Sequence, residues 1–222
     1  MEWAPLVLSL EVAALSMVLA LVAGTGLAIL LDWKRMPARD FFYAFVCAPL
    51  VLPPTVLGYY LLVALGSDSF IGRAWHSVTG TTIVFSFTGA VIAAAVGSLP
   101  LVVRSARIGL EAVDPNLKNA ARTLGASPAR VLFTVVLPLA APAILAGAML
   151  AFARAMGDYG ITQMVAGQMI DGTETASIHV MNALYGGREA DARNMAIVTT
   201  IVGVTLLYVA NRLAKRFSGA PV

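Results

Sequence analysis

Long apolar runs separated by short polar loops dominate this chain. Leu6–Leu31 is interrupted only by Glu11, Phe41–Leu65 carries no charge, and the pattern returns over Ile83–Val103. A fourth run, 138–160, holds Arg154 and Asp158 near its far end, and a fifth, 194–212, is the shortest. Each is close to the roughly 20 residues that a helix needs to cross the hydrocarbon core. A further apolar piece, Ile161–Ile170, is too short to span and reads as the tail of the fourth helix or as a re-entrant segment. The pattern therefore predicts an all-α polytopic membrane protein. It is one domain over residues 1–222 with five transmembrane helices, and its longest loop, 104–137, lies between the third and fourth.

Basic residues orient these spans. Lys34, Arg35, Arg39, Arg104, Arg107, Lys118, Arg122, Arg130, Arg212, Lys215 and Arg216 fall on one side. The opposite loops hold Arg73, Arg188 and Arg193 among the acids Asp68, Asp171, Glu174, Glu189 and Asp191. Lys and Arg collect on the cytoplasmic side, so the N-terminus is expected outside and the C-terminus inside. The first run has no basic residue ahead of it and is too long for a signal-peptide core, so it is expected to be a retained span. Glu11 reads as interfacial.

Composition agrees. Of 222 residues, 59% are hydrophobic and 12% charged, against about 45–50% and about 25% in soluble domains. Disorder is excluded, and the single Cys47 excludes a disulfide scaffold. The net charge of +3 sits in inter-span loops, where orientation accounts for it better than nucleic acid does.

Small residues recur at four-residue spacing: Ala20, Gly24 and Ala28; Gly89, Ala93 and Gly97; Ala143, Gly147, Ala151 and Ala155. Such stripes let helix backbones approach closely in lipid. The second run contains Pro49, Pro53, Pro54 and Gly58. Proline removes backbone donors and breaks helices, and the freed carbonyls need protein or a water-filled cavity. Pro53, Pro54 and Thr55 are thus candidates to line a path, against the plainer reading of a structural kink. Arg154 and Asp158, four residues apart, have two readings. Either Arg154 draws an anion into a path with Asp158 limiting its affinity, or the two form a structural pair.

The 104–137 loop is the most informative stretch. Asp114 suits an N-cap, Pro115 the first helical position and Gly125 the C-terminal stop, which predicts a helix of about ten residues. Leu117, Ala120, Ala121 and Leu124 form one apolar stripe. The groove that covers it belongs either to this chain or to another protein.

These residues also carry a resemblance. Asn119-Ala120-Ala121, three residues, Gly125, nine residues, Val135, one residue, then Leu137-Pro138 resembles the EAA loop of ABC importer permeases, which couples to the ATP-hydrolysing subunit. The resemblance implies that Leu117, Asn119, Ala120, Ala121, Leu124 and Gly125 serve ATPase coupling. Asn119 stands where that family usually has Glu, a loss of charge that alters docking strength rather than geometry. The blocks Leu52–Tyr60, Phe85–Ala90, Ser98–Leu101, Ala151–Thr162 and Met164–Gly167 resemble the molybdate permeases, with Asp158 in place of the usual Glu.

The resemblance implies a subunit of an ATP-driven molybdate importer in the bacterial cytoplasmic membrane. It would be a homodimer, supplied by an oxyanion-binding protein outside and energised by a separate ATPase subunit. A short outer helix within Thr173–Tyr185 would lie on the surface that receives the binding protein. Tungstate or sulfate permeases are the alternatives, and an ATP-independent anion transporter or channel a more distant one. No phosphate loop is present, because the three lysines follow Trp33, Leu117 and Ala214. No cofactor, metal site or catalytic set is expected. His76 and His179 read as ordinary loop residues, and Cys47 as a small buried side chain.

Overall fold

The computed structural model describes residues 3–32, 38–167 and 174–217. Lys34, Arg35, residues 168–170, Thr173 and the tail after Phe217 lie outside them. α1 (Ala4–Asp32), α5 (Phe87–Glu111), the stretch Pro128–Met156 and the helix opening at Glu189 are each long and apolar enough to cross a membrane. A bent pair, Arg39–Leu50 and Pro54–Leu65, makes a fifth candidate when taken as one broken span.

Small residues position the central three. A Cβ added to Gly24 of α1 would lie 2.9 Å from the Val102 Cβ of α5. One added to Gly147 of α8 (Leu137–Met156) would lie 2.7 Å from the Ser105 Cβ of α5. Ala20, Ala106 and Ala151 are fully buried along these seams. Backbones this close gain dispersion contacts that larger side chains would prevent, the main source of helix association in lipid. The predicted stripes therefore act as packing surfaces. The Gly89–Ala93–Gly97 stripe turns elsewhere, with Gly97 facing the Ile161 side chain.

The boundaries differ from the apolar pattern most at the third and fourth spans, and the fifth helix opens at Glu189 rather than Asn194. α5 begins at Phe87, where Ser86 caps it by accepting from the Gly89 N–H, and runs past Val103 to Glu111. Arg107 and Arg39 both meet Glu111 there, at 2.7 and 3.6 Å, and Arg107 lies 4.6 Å over the Tyr43 ring. This charge cluster ties the start of α2 (Arg39–Cys47) to the end of α5. The fourth span starts early, as α7 (Pro128–Val131) leading through a π turn at Leu132–Val136 into α8. It ends at Met156, so Gly157, Asp158 and Tyr159 form a break rather than a continued turn.

At the second span the break is far more than a kink. α2 and the 3₁₀ turn Ala48–Leu50 meet α3 (Pro54–Leu65) at 109°. Pro53 is extended, as a residue before proline must be, and Pro54 opens α3 where its missing N–H costs nothing. After α3 comes α4 (Phe70–Thr79), capped by Ser69 through the Gly72 N–H at 2.8 Å. Beyond the fourth span lie α9 (Gly160–Val165), α10 (Ala176–Tyr185) and α11 (Glu189–Phe217). The described part of the Ile161 segment forms α9, which packs on α3 rather than continuing α8 as its tail. α11 rests on α10 and α8 and leaves Ile197, Ile201, Val204 and Tyr208 exposed along one side.

Candidate functional site

The predicted loop helix is α6 (Pro115–Thr123), with its caps as expected. Asp114 accepts from the Asn116 N–H at 2.8 Å, and Gly125 turns the chain at φ 84°. A side chain at that φ is strained, which is the reason for glycine there. Ser127 then caps α7 by accepting from the Arg130 N–H.

The apolar stripe of α6 divides between two faces. Leu124 is 88% exposed and Leu117 48%, with Ala120 beside them, so these three offer an uncovered apolar face. Ala121 is half-buried against the chain's own core of Leu110, Val113 and Val131. Lys118 donates to the Leu110 carbonyl at 3.2 Å from the same inner side. Ala121 therefore holds α6 to its own chain. Asn119 is exposed on the flank, two positions from Leu117 and so about 200° round the helix from it.

The two blocks thought to line a path meet each other. A Cβ on Gly160 would lie 2.7 Å from the Pro54 Cβ, and one on Gly58 2.7 Å from the Met164 Cβ. Glycine at both positions brings α9 and α3 into backbone contact. Pro53, Pro54 and Thr55 are exposed on the outside of this corner, with Tyr59 and Tyr60 exposed beyond them.

Arg154 and Asp158 are joined. The Arg154 Nη1 donates to Asp158 Oδ1 at 2.8 Å, and Asp158 Oδ2 accepts from both the N–H and the Oγ1 of Thr162, at 2.9 and 2.7 Å. The Asp158 side chain is 3% exposed and the Arg154 side chain 34%. One carboxylate thus satisfies an otherwise free N–H of α9 and fixes the guanidinium at the end of α8. Because α9 backs Pro54, this pair anchors the proline corner to the fourth span.

His179 departs from the expectation of an ordinary loop residue. It is buried on α10, with Nδ1 2.8 Å from Glu174 Oε1 and Nε2 3.3 Å from Asp191 Oδ2. Asn182 donates to the other Glu174 oxygen, and Arg188 lies 3.2 Å from Asp191. The imidazole bridges the start of α10 to the start of α11, while the Ala176 N–H donates to Ser9 Oγ of α1 at 2.8 Å. No motif announces this cluster. Its only sequence signal is one His among acids at the edges of two helices. His179→Ala removes the imidazole that Glu174 and Asp191 share, leaving Glu174 with Asn182 and the part-exposed Asp191 with Arg188, a loss of about 1–3 kcal/mol. It should lower the melting temperature in detergent by several degrees, whereas exposed His76→Ala should not; equal melting temperatures would contradict the clasp. Cys47 is half-buried beside the proline break, rather than fully buried as expected.

A bundle of apolar spans with a broken helix, a polar clasp at one end and a capped helix presenting apolar side chains at the other fits a membrane permease of the importer type. The sequence comparisons agree: residues 15–219 match the family model described as the binding-protein-dependent transport system inner membrane component, and the chain belongs to that family. It is 40% identical to the molybdenum transport system permease protein ModB of Escherichia coli K12, covering 96% of this chain and 94% of the relative. For ModB of Haemophilus influenzae the identity is 38%, covering 97% and 95%. The sulfate permease CysT of E. coli K12 is 32% identical, with 88% and 70% covered. Among solved structures, the inward-facing MetNI methionine ABC transporter matches with a TM-score of 0.74 at 19% identity, covering 97% of this chain and 96% of that one. A bacterial alginate ABC transporter matches at 0.71 and 13% identity, covering 96% and 78%. These likenesses agree with the fold.

Proposed function

We propose that this chain is the membrane-spanning permease subunit of a molybdate importer, energised by a separate ATP-hydrolysing subunit. The observation that carries the cargo is the identity of 38–40% to ModB permeases over nearly the whole chain, against 32% to a sulfate permease over less of it. The N-terminus is outside and the C-terminus inside, with α6 on the cytoplasmic face, as the distribution of Lys and Arg requires. The ATPase subunit docks on Leu117, Ala120 and Leu124, with Asn119 at the rim and Gly125 setting the turn. Two copies enclose the path between them, and an oxyanion-binding protein delivers cargo from outside.

The mechanism follows a continuous mechanical route. Movement of α6 passes through Ala121 and the Gly125 turn into α7, the π turn and α8. The Arg154–Asp158 clasp carries it to α9, and α9 moves the Pro53–Pro54–Thr55 corner that lines the path. π turns are weak points in the helical ladder, which suits one placed where the moving loop enters the span. Pro53 and Pro54 leave upstream carbonyls without intrahelical donors, and a water-filled path satisfies them.

The test is ATPase stimulation in the assembled complex in detergent. Molybdate-loaded binding protein should raise the partner's ATPase rate several-fold and sulfate-loaded protein should not. Equal stimulation by the two would overturn molybdate as the cargo.

A further inference from the structure

We propose that the chain binds one anionic phospholipid on the α6 side of the membrane, in the cavity between the last turns of α1 and helix α6. The cavity measures about 1290 Å³, far more than a tetrahedral oxyanion needs. Its two ends differ in chemistry. Ile29 and Leu30 of α1, with Leu132 of the π turn, form an apolar wall, and Leu30 is 47% exposed, so this wall continues into the lipid-facing surface. Gly26, one turn back, faces open space. Lys118 and Arg122, one turn apart on α6, close the polar end.

Their charge is unspent. Among the described residues no carboxylate lies within 4.0 Å of either cation. Lys118 uses one donor on the Leu110 carbonyl and keeps two. Asp32 lies in the same wall, leaving two cations against one anion and favouring a singly charged headgroup phosphate. A basic rim over an apolar cleft between helices at the membrane boundary fits a phosphate ester with acyl chains. Arg122 and Lys118 lie away from Leu117 and Leu124 on α6, so the lipid fills the side opposite those leucines and meets the docking surface only at Asn119. The proposal needs only the membrane-spanning reading, and neither the cargo nor the energy source enters it.

The test is native mass spectrometry of the purified full-length chain with equimolar phosphatidylglycerol and phosphatidylcholine. The wild type should retain phosphatidylglycerol preferentially. K118Q/R122Q should lose at least about tenfold in that affinity, as expected for two near-surface cations. K118R/R122K should restore it, and R130Q, outside the cavity, should leave it unchanged. Should K118Q/R122Q fail to fold, R122Q alone, at an exposed position, should weaken retention about fivefold. Undiminished retention in the neutral variants, or no preference in the wild type, overturns the proposal. Displacement of the lipid by millimolar inorganic phosphate also overturns it, by making this a site for free oxyanions.

Discussion

Leu124→Asp should abolish molybdate uptake while leaving the chain folded and inserted. Leu124 is 88% exposed on α6, so the substitution touches nothing inside the chain, and surface changes of this kind shift stability by about 0.5 kcal/mol or less. In the proposed assembly the ATPase subunit covers this same side chain. Full burial of a leucine contributes about 1.5–3 kcal/mol, and a carboxylate there loses that and adds a desolvation cost. The ATPase subunit should therefore bind at least about tenfold more weakly. Copurification and uptake should fall together while the melting temperature of the isolated chain stays unchanged. Ala121→Asp is the informative contrast. Ala121 packs on the core beside Leu110 and Val131, so a carboxylate there should destabilise the chain itself before any partner is involved.

Arg154→Met should cost nearly as much uptake, through position rather than charge. It leaves the Asp158 carboxylate, 3% exposed, with Thr162 as its remaining partner. Removing the part-exposed member of this charge-assisted pair costs about 1.5–3 kcal/mol. Replacing both members by apolar residues of similar size is often neutral. The double variant Arg154→Met/Asp158→Asn, which removes both charges while an amide oxygen still accepts from the buried Thr162 N–H, should recover most of the lost melting temperature and a large part of the uptake. A double variant that is stable yet transports no anion would instead give Arg154 a direct role in the path. Thr162→Val, which keeps the backbone bond to Asp158 and loses the hydroxyl, should show a smaller loss of both.

The features readable in the sequence are those set by local chemistry. Asp114, Pro115, Gly125 and Ser127 define the ends of α6 and α7 through single side chains and one positive φ, and all four act as their residue types require. The stripes around Gly24 and Gly147 were legible because only small residues allow such close backbones. Pro53 and Pro54 announced a break but not its 109° angle, which depends on what α3 packs against. That partner is α9, more than a hundred residues away and fitted through Gly160. Periodicity grouped Ala121 with Leu117 and Leu124, since a wide apolar stripe does not reveal which edge faces inward. The His179 clasp was illegible for a similar reason. Glu174, His179 and Asp191 follow no spacing rule and meet only once α10 and α11 are docked. The break at Gly157 has no signal in the sequence, and the bonds of Asp158 to Arg154 and Thr162 form across it.

The most direct test of the account is ATP-dependent uptake of molybdate into proteoliposomes. These would hold this chain, its ATPase subunit and the matching binding protein, with sulfate and tungstate as competitors. The account predicts uptake that requires ATP and persists in excess sulfate, with tungstate the only effective competitor. Uptake without ATP, or uptake that excess sulfate suppresses, would contradict it.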